Sequence, residues 1–199
     1  MRLVLFFLVA AVAIGFASGG RFGGLSHVQI RWAPLAVVGF GLQFFTPSAH
    51  GWPYALLLVS FVLLTVFAIA NIKVAGFVLI LAGLLMNFAV IAANHGMPVT
   101  ANALTGSGQQ DLLTYLIEQG GAKHHLAGPD DQLMILADVI PLPPPITQAV
   151  SLGDIVAYTG VGVVVVTAMR TERRRRKGAG ATADGDADLD DAVREPAGG

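Results

Sequence analysis

Apolar residues gather into five long runs, at 3–17, 32–46, 53–71, 74–93 and 154–169, and polar residues are largely confined to the breaks between them. The hydrocarbon core of a bilayer is about 30 Å thick and takes roughly 20 helical residues to cross, with about 17 a usual lower limit. The third and fourth runs meet that length, whereas the first, second and fifth would borrow flanking residues. Pro34 and Pro53 fall just inside the second and third runs, where the first helical turn has spare N–H groups and proline costs little. Asn71-Ile72-Lys73 reads as a tight turn between antiparallel spans. The pattern predicts an all-α integral membrane bundle of about five transmembrane helices within residues 1–170.

Small residues recur inside the runs, at Gly39, Gly41, Gly76, Gly83, Ala89, Ala93, Gly160 and Gly162. They let helix backbones approach closely where lipid removes the hydrophobic drive to associate, so they are expected packing positions. The stretch 95–153 is far longer than a helix-to-helix turn, and loops beyond about 15 residues are usually functional or disordered. Its apolar segments favour order. Residues 111–119 place Leu112, Leu113, Leu116 and Ile117 on one helical face, which suits a short helix lying on the membrane or capping the bundle. Residues 133–140 read as a second such segment, ended by Pro141, after which Pro143-Pro144-Pro145 enforces an extended stretch.

Composition strengthens the membrane reading. The chain is 54% hydrophobic and 13% charged, against about 25% charged in soluble domains. Residues 1–110 contain no acid and only Arg2, Arg21, Arg31 and Lys73 as cations, too few to keep a folded surface in water. The net charge of −1 sums this neutral body with a charged tail. The chain has no cysteine, which excludes disulfides, thiolate metal sites, a cysteine nucleophile and a lipid-modified N-terminal cysteine. Residues 171–199 pass from Arg173-Arg174-Arg175-Arg176-Lys177 to Asp184, Asp186, Asp188, Asp190 and Asp191 with almost no large apolar residue, which predicts a disordered tail. Its basic part suits anionic headgroups, at about 1 kcal/mol per cation, better than nucleic acid, which is not an expected partner.

Charge also sets orientation, because Lys- and Arg-rich loops stay cytoplasmic. Five spans with the arginine run inside place Arg21, Arg31 and Lys73 inside as well, and leave only Arg2 and Lys123 outside. The N-terminus would be outside, the C-terminus cytoplasmic, and 95–153 an extracytoplasmic cap. A competing reading makes residues 1–19 a cleaved signal peptide ending in Ala17, Ser18 and Gly19. Cleavage would invert the later loops and export the arginine run.

Candidate chemistry clusters on the outward side. Asn87 and Asn94 share a face of the fourth span about 10 Å apart. An amide in lipid needs a partner, so that face should point into the bundle, either to bond another helix, with Gln43 a candidate, or as a polar track. His95-Gly96-Met97-Pro98 follows, with Gly96 placed to supply a positive-φ cap and Pro98 to stop the helix; His95, Met97 and Pro98 are candidate binding residues beside this end. Ser151-Leu152-Gly153-Asp154 opens the last run as a capping box, in which Ser151 and Asp154 satisfy exposed backbone N–H groups. An acid touching a span is equally a candidate for function. Asp138 lies on the same side, with His124, His125, Asp130 and Asp131 in the same loop but at no metal-ligand spacing. No phosphate loop, zinc-helix motif or nucleophile elbow is present. No cofactor or metal is expected.

Asn94-x-Gly96-Met97-Pro98-Val99, Leu136-Ala137-Asp138-x-Ile140-Pro141 and Ser151-Leu152-Gly153-Asp154 together resemble an uncharacterised bacterial family of polytopic membrane proteins, a domain of unknown function. That resemblance spans nearly the whole membrane body. It implies a bacterial inner-membrane location and no particular activity. Ser151-Leu152-Gly153-Asp154 is also similar to the second aspartate motif of lipoprotein signal peptidase, an intramembrane aspartyl protease. Residues 87–96 lack the aspartate of that family's first motif, so Asp138 would have to supply the second carboxylate that aspartyl hydrolysis requires. The expected function is non-enzymatic binding of a protein, lipid or small ligand at the outer face. An aspartyl hydrolase using Asp138 and Asp154, or a small transporter using Gln43, Asn87 and Asn94, are the alternatives.

Overall fold

The computed structural model describes residues 2–43, 52–120 and 123–171. In chain order, α1 (Arg2–Ala17) leads through a 3-10 turn at Phe22–His27 to α2 (Ala33–Leu42), α3 (Trp52–Ala70) and α4 (Phe77–Asn94). A cap follows, made of β1 (Met97–Val99), α5 (Ala101–Gly106), α6 (Gln110–Gln119), β2 (His124–Leu126), a 3-10 turn at Met134–Leu136, β3 (Ile140–Leu142) and β4 (Gln148–Val150). Then α7 (Leu152–Thr171) returns through the bundle. The five apolar helices coincide with the five apolar runs, and the turn expected at Asn71-Ile72-Lys73 joins α3 to α4. The end of the second run and the tail beyond Thr171 lie outside the described residues.

Among the described residues, α4 and α7 are long and apolar enough to cross a bilayer, whereas α1, α2 and Tyr54–Ala70 of α3 are shorter. Only 28% of α4 and 22% of α7 is buried, so the apolar surface of both helices faces mostly outward rather than into a core. Large apolar side chains such as Leu5, Val9, Val37 and Val78 are likewise more than half exposed.

Helix contacts follow from small residues. α2 lies on α3, where Gly39 packs against Leu64, and α3 lies on α4. α4 meets α7 at two places: a Cβ on Gly160 would sit 2.6 Å from the Gly76 carbonyl oxygen, and one on Gly83 would strike the Gly153 carbonyl. α1 reaches α7 through Phe7, whose ring lies 6.0 Å from that of Tyr158. Not every small residue serves this purpose. Gly41 has open space beside it, and Ala89 and Ala93 are exposed.

The cap is a mixed α/β layer rather than the purely helical one expected. β1 pairs in parallel with β2, and on its other edge bridges to Asp138. The Asp138 N–H donates to the Pro98 carbonyl at 3.0 Å and the Asp138 carbonyl accepts from Thr100 at 3.3 Å. Pro98 has no N–H to donate, and pairing at this position needs only its carbonyl. These backbone bonds draw the expected second helix, 133–140, out of helical form. It holds only the 3-10 turn, entered through Leu133 at φ 55°. Pro141 sits within β3, opposite Ala149. Pro143–Pro145 belongs to the turn between β3 and β4 instead of an extended segment, with the Ile146 and Thr147 N–H groups donating to the Pro143 carbonyl. α6 forms over the expected residues, with Leu116 buried against Val99, Ala103, Leu104 and Ala149. Ile117, at 65% exposure, is off that face.

Candidate functional site

Two ends of the cap converge on the start of α7. Asn87 is buried midway along α4, and its Nδ2 donates to Asp154 Oδ1 at 2.7 Å. The Ser151 hydroxyl donates to Asn87 Oδ1 at 2.9 Å. The capping box forms as its sequence predicts: the Asp154 N–H donates to Ser151 Oγ at 3.0 Å, and Asp154 Oδ2 accepts from the Ser151 N–H at 3.5 Å. Asn87 therefore bonds α7, and Gln43, its expected partner, instead accepts a 2.7 Å hydrogen bond from Lys123 Nζ. Gly153 has no side chain to obstruct this, since a Cβ there would overlap Asn87 Oδ1.

Lys123 ties the second part of the site together. Burial pulls its pKa below the usual lysine range, and the Asp154 and Asp138 charges pull it back up. Asp138, only 7% exposed at its side chain, lies with Oδ2 3.5 Å from His124 Nε2. Its other oxygen, Oδ1, is buried with no hydrogen-bond partner among the described residues. Burial first, then the Asp154 charge, push the Asp138 pKa up to about 8 against a weaker opposing pull from Lys123. Surrounding protein, followed by the charges of Lys123 and His125, lowers the pKa of His124. The His124 side chain keeps 39% of its surface open, so solvent screens much of that effect. Burial thus favours the uncharged form of both partners in the His124–Asp138 contact.

The charges of Asp154 and Asp138 both act on Lys123, a residue the sequence marks only as the one cation of its long loop. The remaining candidates make other contacts. Asn94 accepts from the Gln132 N–H at 2.7 Å and donates to the Gln132 and Val90 carbonyls, both at 2.9 Å, which pins the loop before Leu133. His95 itself takes the left-handed cap position expected of Gly96, at φ 56°, and the His95 and Gly96 N–H groups both donate to the Ile91 carbonyl. Its ring lies 5.3 Å from that of Tyr54. Met97 is buried with Leu57, Phe61, Val90, Ile91 and Ala137, and Pro98 is fully buried in β1. His125 and Asp131 form a separate contact at 2.9 Å, and Asp131 also accepts from the Gly128 N–H. No set of three or more His, Asp and Glu among the described residues is arranged to hold a metal ion.

Chemically, the cluster offers one buried carboxyl group with an oxygen that has no partner among the described residues, one carboxyl group already bound by a cap and an amide, and one lysine. Among the described residues Asp138 Oδ1 has no hydrogen-bond partner, and Oδ2 faces His124. The cavity at the other end of the bundle, between the α3–α4 turn and the end of α7, is remote from this chemistry.

No curated protein and no solved structure matches this chain. The similarity to lipoprotein signal peptidase finds no support in these comparisons. The uncharacterised family does: its sequence pattern matches residues 27–166, which include Asn87, Asn94, Asp138, Ser151 and Asp154 but neither α1 nor the tail, and the chain belongs to that family of unknown function, DUF5317.

Proposed function

We propose that this chain is a bacterial cytoplasmic-membrane protein of five spans, with its N-terminus outside and C-terminus inside, whose outward cap covers a polar binding site. It binds its ligand rather than transforming it. The outward apolar surfaces of α4 and α7 and the segregation of cations support the membrane placement. One observation carries the binding reading: the buried Asp138 Oδ1, which has no hydrogen-bond partner among the described residues and feels the Lys123 charge. An unsatisfied buried polar atom costs about 1–3 kcal/mol, and a ligand N–H or O–H would satisfy it. The fitting ligand is a small polar molecule, or the polar end of a lipid or peptide, that presents a hydrogen-bond donor. Asp154 is held by Asn87 and its own capping box, which suits a fixed wall of the site better than a mobile nucleophile.

Purified full-length protein screened by thermal shift against amines, polyols and amino-acid amides tests the site. A ligand at a hundredfold excess over its Kd adds about 2.7 kcal/mol, and that gain should vanish in Asp138→Ala. Stabilisation that survives the substitution would remove Asp138 from the site. Peptide hydrolysis abolished by both Asp138→Asn and Asp154→Asn would establish the hydrolase instead. The absence of cysteine makes topology equally testable. In intact cells, Asn102→Cys in the cap should react with a membrane-impermeant maleimide and Ala75→Cys should not.

A further inference from the structure

The end of the bundle away from Asp154 holds a cavity of about 870 Å³ between the loop before α2, the α3–α4 turn and the last turns of α7. Arg31 and Lys73 line it, with Gln29 and Thr171 as further polar groups. Its shape is fixed by Asn71, which is buried and fully engaged. Asn71 Oδ1 accepts from the Arg31 N–H, and its Nδ2 donates to the Arg31 and Phe67 carbonyls, each at 2.8 Å. The loop is anchored at its start too, where the Arg21 N–H donates to the Met169 carbonyl at 3.0 Å. The backbone carrying Arg31 is therefore held against the α3–α4 turn that carries Lys73.

The charges here have one sign. Among the described residues every formal charge at this end is a cation, Arg21, Arg31, Lys73 or Arg170, while the acids belong to the cap or to the start of α7. The cavity also has an apolar side: Ile69, Ile72 and Val164 line it, and Ile69 and Ile72 are 55% and 37% exposed on the bundle exterior. A polar pocket with two cations, and no acid beside them among the described residues, opens along an apolar helix face and fits a ligand that carries an anion and a hydrocarbon tail.

We infer that this cavity binds one anionic phospholipid, its phosphate held by Arg31 and Lys73 and an acyl chain lying along Ile69 and Ile72. The inference rests on the membrane placement proposed above and not on the Asp138 site. Cations near a bilayer each contribute about 1 kcal/mol with anionic lipid, but Asn71 organises these two around a single cavity, so binding should saturate at one lipid per chain.

Native mass spectrometry of the detergent-purified full chain, titrated with phosphatidylglycerol, phosphatidylcholine or glycerol 3-phosphate, tests it. One phosphatidylglycerol should remain bound where phosphatidylcholine does not, and Arg31→Gln/Lys73→Gln should weaken that binding by roughly tenfold or more. Arg21→Gln/Arg170→Gln, which removes two cations of the same end that do not line the cavity, should leave it nearly unchanged. Equal losses in the two double variants would show diffuse charge attraction and overturn the site. Wild-type affinity in Arg31→Gln/Lys73→Gln would overturn it as well. Equal binding of glycerol 3-phosphate would overturn the lipid assignment in favour of a soluble phosphate ester. Flotation with phosphatidylcholine vesicles reads membrane insertion separately, so failure of the membrane placement is distinguishable from failure of the site.

Discussion

Asn87 on α4 donates a 2.7 Å hydrogen bond to Asp154 at the start of α7, while its carbonyl oxygen accepts from Ser151. The amide thus closes a ring of three side chains that joins two helices at the level of the cap. Asn87→Leu keeps similar bulk but strands the Ser151 hydroxyl and one Asp154 oxygen, and should destabilise the protein by about 1–3 kcal/mol. Asp154→Asn retains an acceptor for Asn87 and loses the charge at the positive helix end, at a cost of about 1 kcal/mol or less. Denaturation of both variants in detergent should rank them in that order. The reverse order would mean that the helix cap outweighs the interhelical bond.

Asp138 sets a pH dependence whose sign follows from the burial of its carboxyl. Its pKa rises from 3.8 in the unfolded chain to about 8 in the native protein, so across that range the native state holds a proton that the unfolded state has released. Stability is full below the lower value and falls as pH rises towards the upper one. His124, with its native pKa lowered from 6.5, acts oppositely below that value. Between about pH 6.5 and 8 the Asp138 effect therefore stands clear, at about 2 kcal/mol for 1.4 kcal/mol per unit. The melting temperature should decline through this window in the wild type and stay level in Asp138→Asn. A wild-type profile that is flat or rises there would contradict the burial of this carboxyl.

Asn94 holds the Gln132 backbone from both sides, so Asn94→Ala should free the loop before Leu133 without opening the helices. About 1–2 kcal/mol of local stability should be lost. Hydrogen exchange localises the effect: residues near 128–134 should exchange faster while α3 and α4 keep their protection.

Gly83 and Gly160 permit the approach of α4 to α7. A methyl group at Gly83 meets the Gly153 carbonyl and the Ala157 backbone, both fixed in position. Gly83→Ala should force the helices apart and cost about 1–3 kcal/mol. Gly41→Ala, with nothing beside it within 4 Å, should cost nothing measurable in the same thermal assay.

The helices were legible in the sequence because each apolar run is a local signal, and their observed ends at Ala17, Ala70 and Asn94 fall within a residue or so of the runs that predict them. The Ser151–Asp154 box was legible for the same reason, as its two partners are three residues apart. The cap was not. Its strands are three residues long, too short to display alternation, and β1 finds β2 across two intervening helices. Leu133–Ile140 has helical composition, but pairing of Asp138 with Pro98 and Thr100 overrides it. At the site, a pattern of amides and acids could flag Asn87 and Asp154 separately. What it could not supply was the position of Lys123, which is brought to the other residues only by the parallel pairing of β2 with β1.

That pairing has a mechanical consequence. β1 begins three residues after the last residue of α4 and carries Asp138 on one edge and the His124 strand on the other. Little slack therefore separates helix from strand. A tilt or piston displacement of α4 reaches Asp138 and Lys123 directly, while Asn87 on the same helix pulls on Asp154. The packing of α4 against α7 and the setting of the two carboxyl groups are thereby linked through the chain itself, by the strand at Asp138 and by the amide at Asp154.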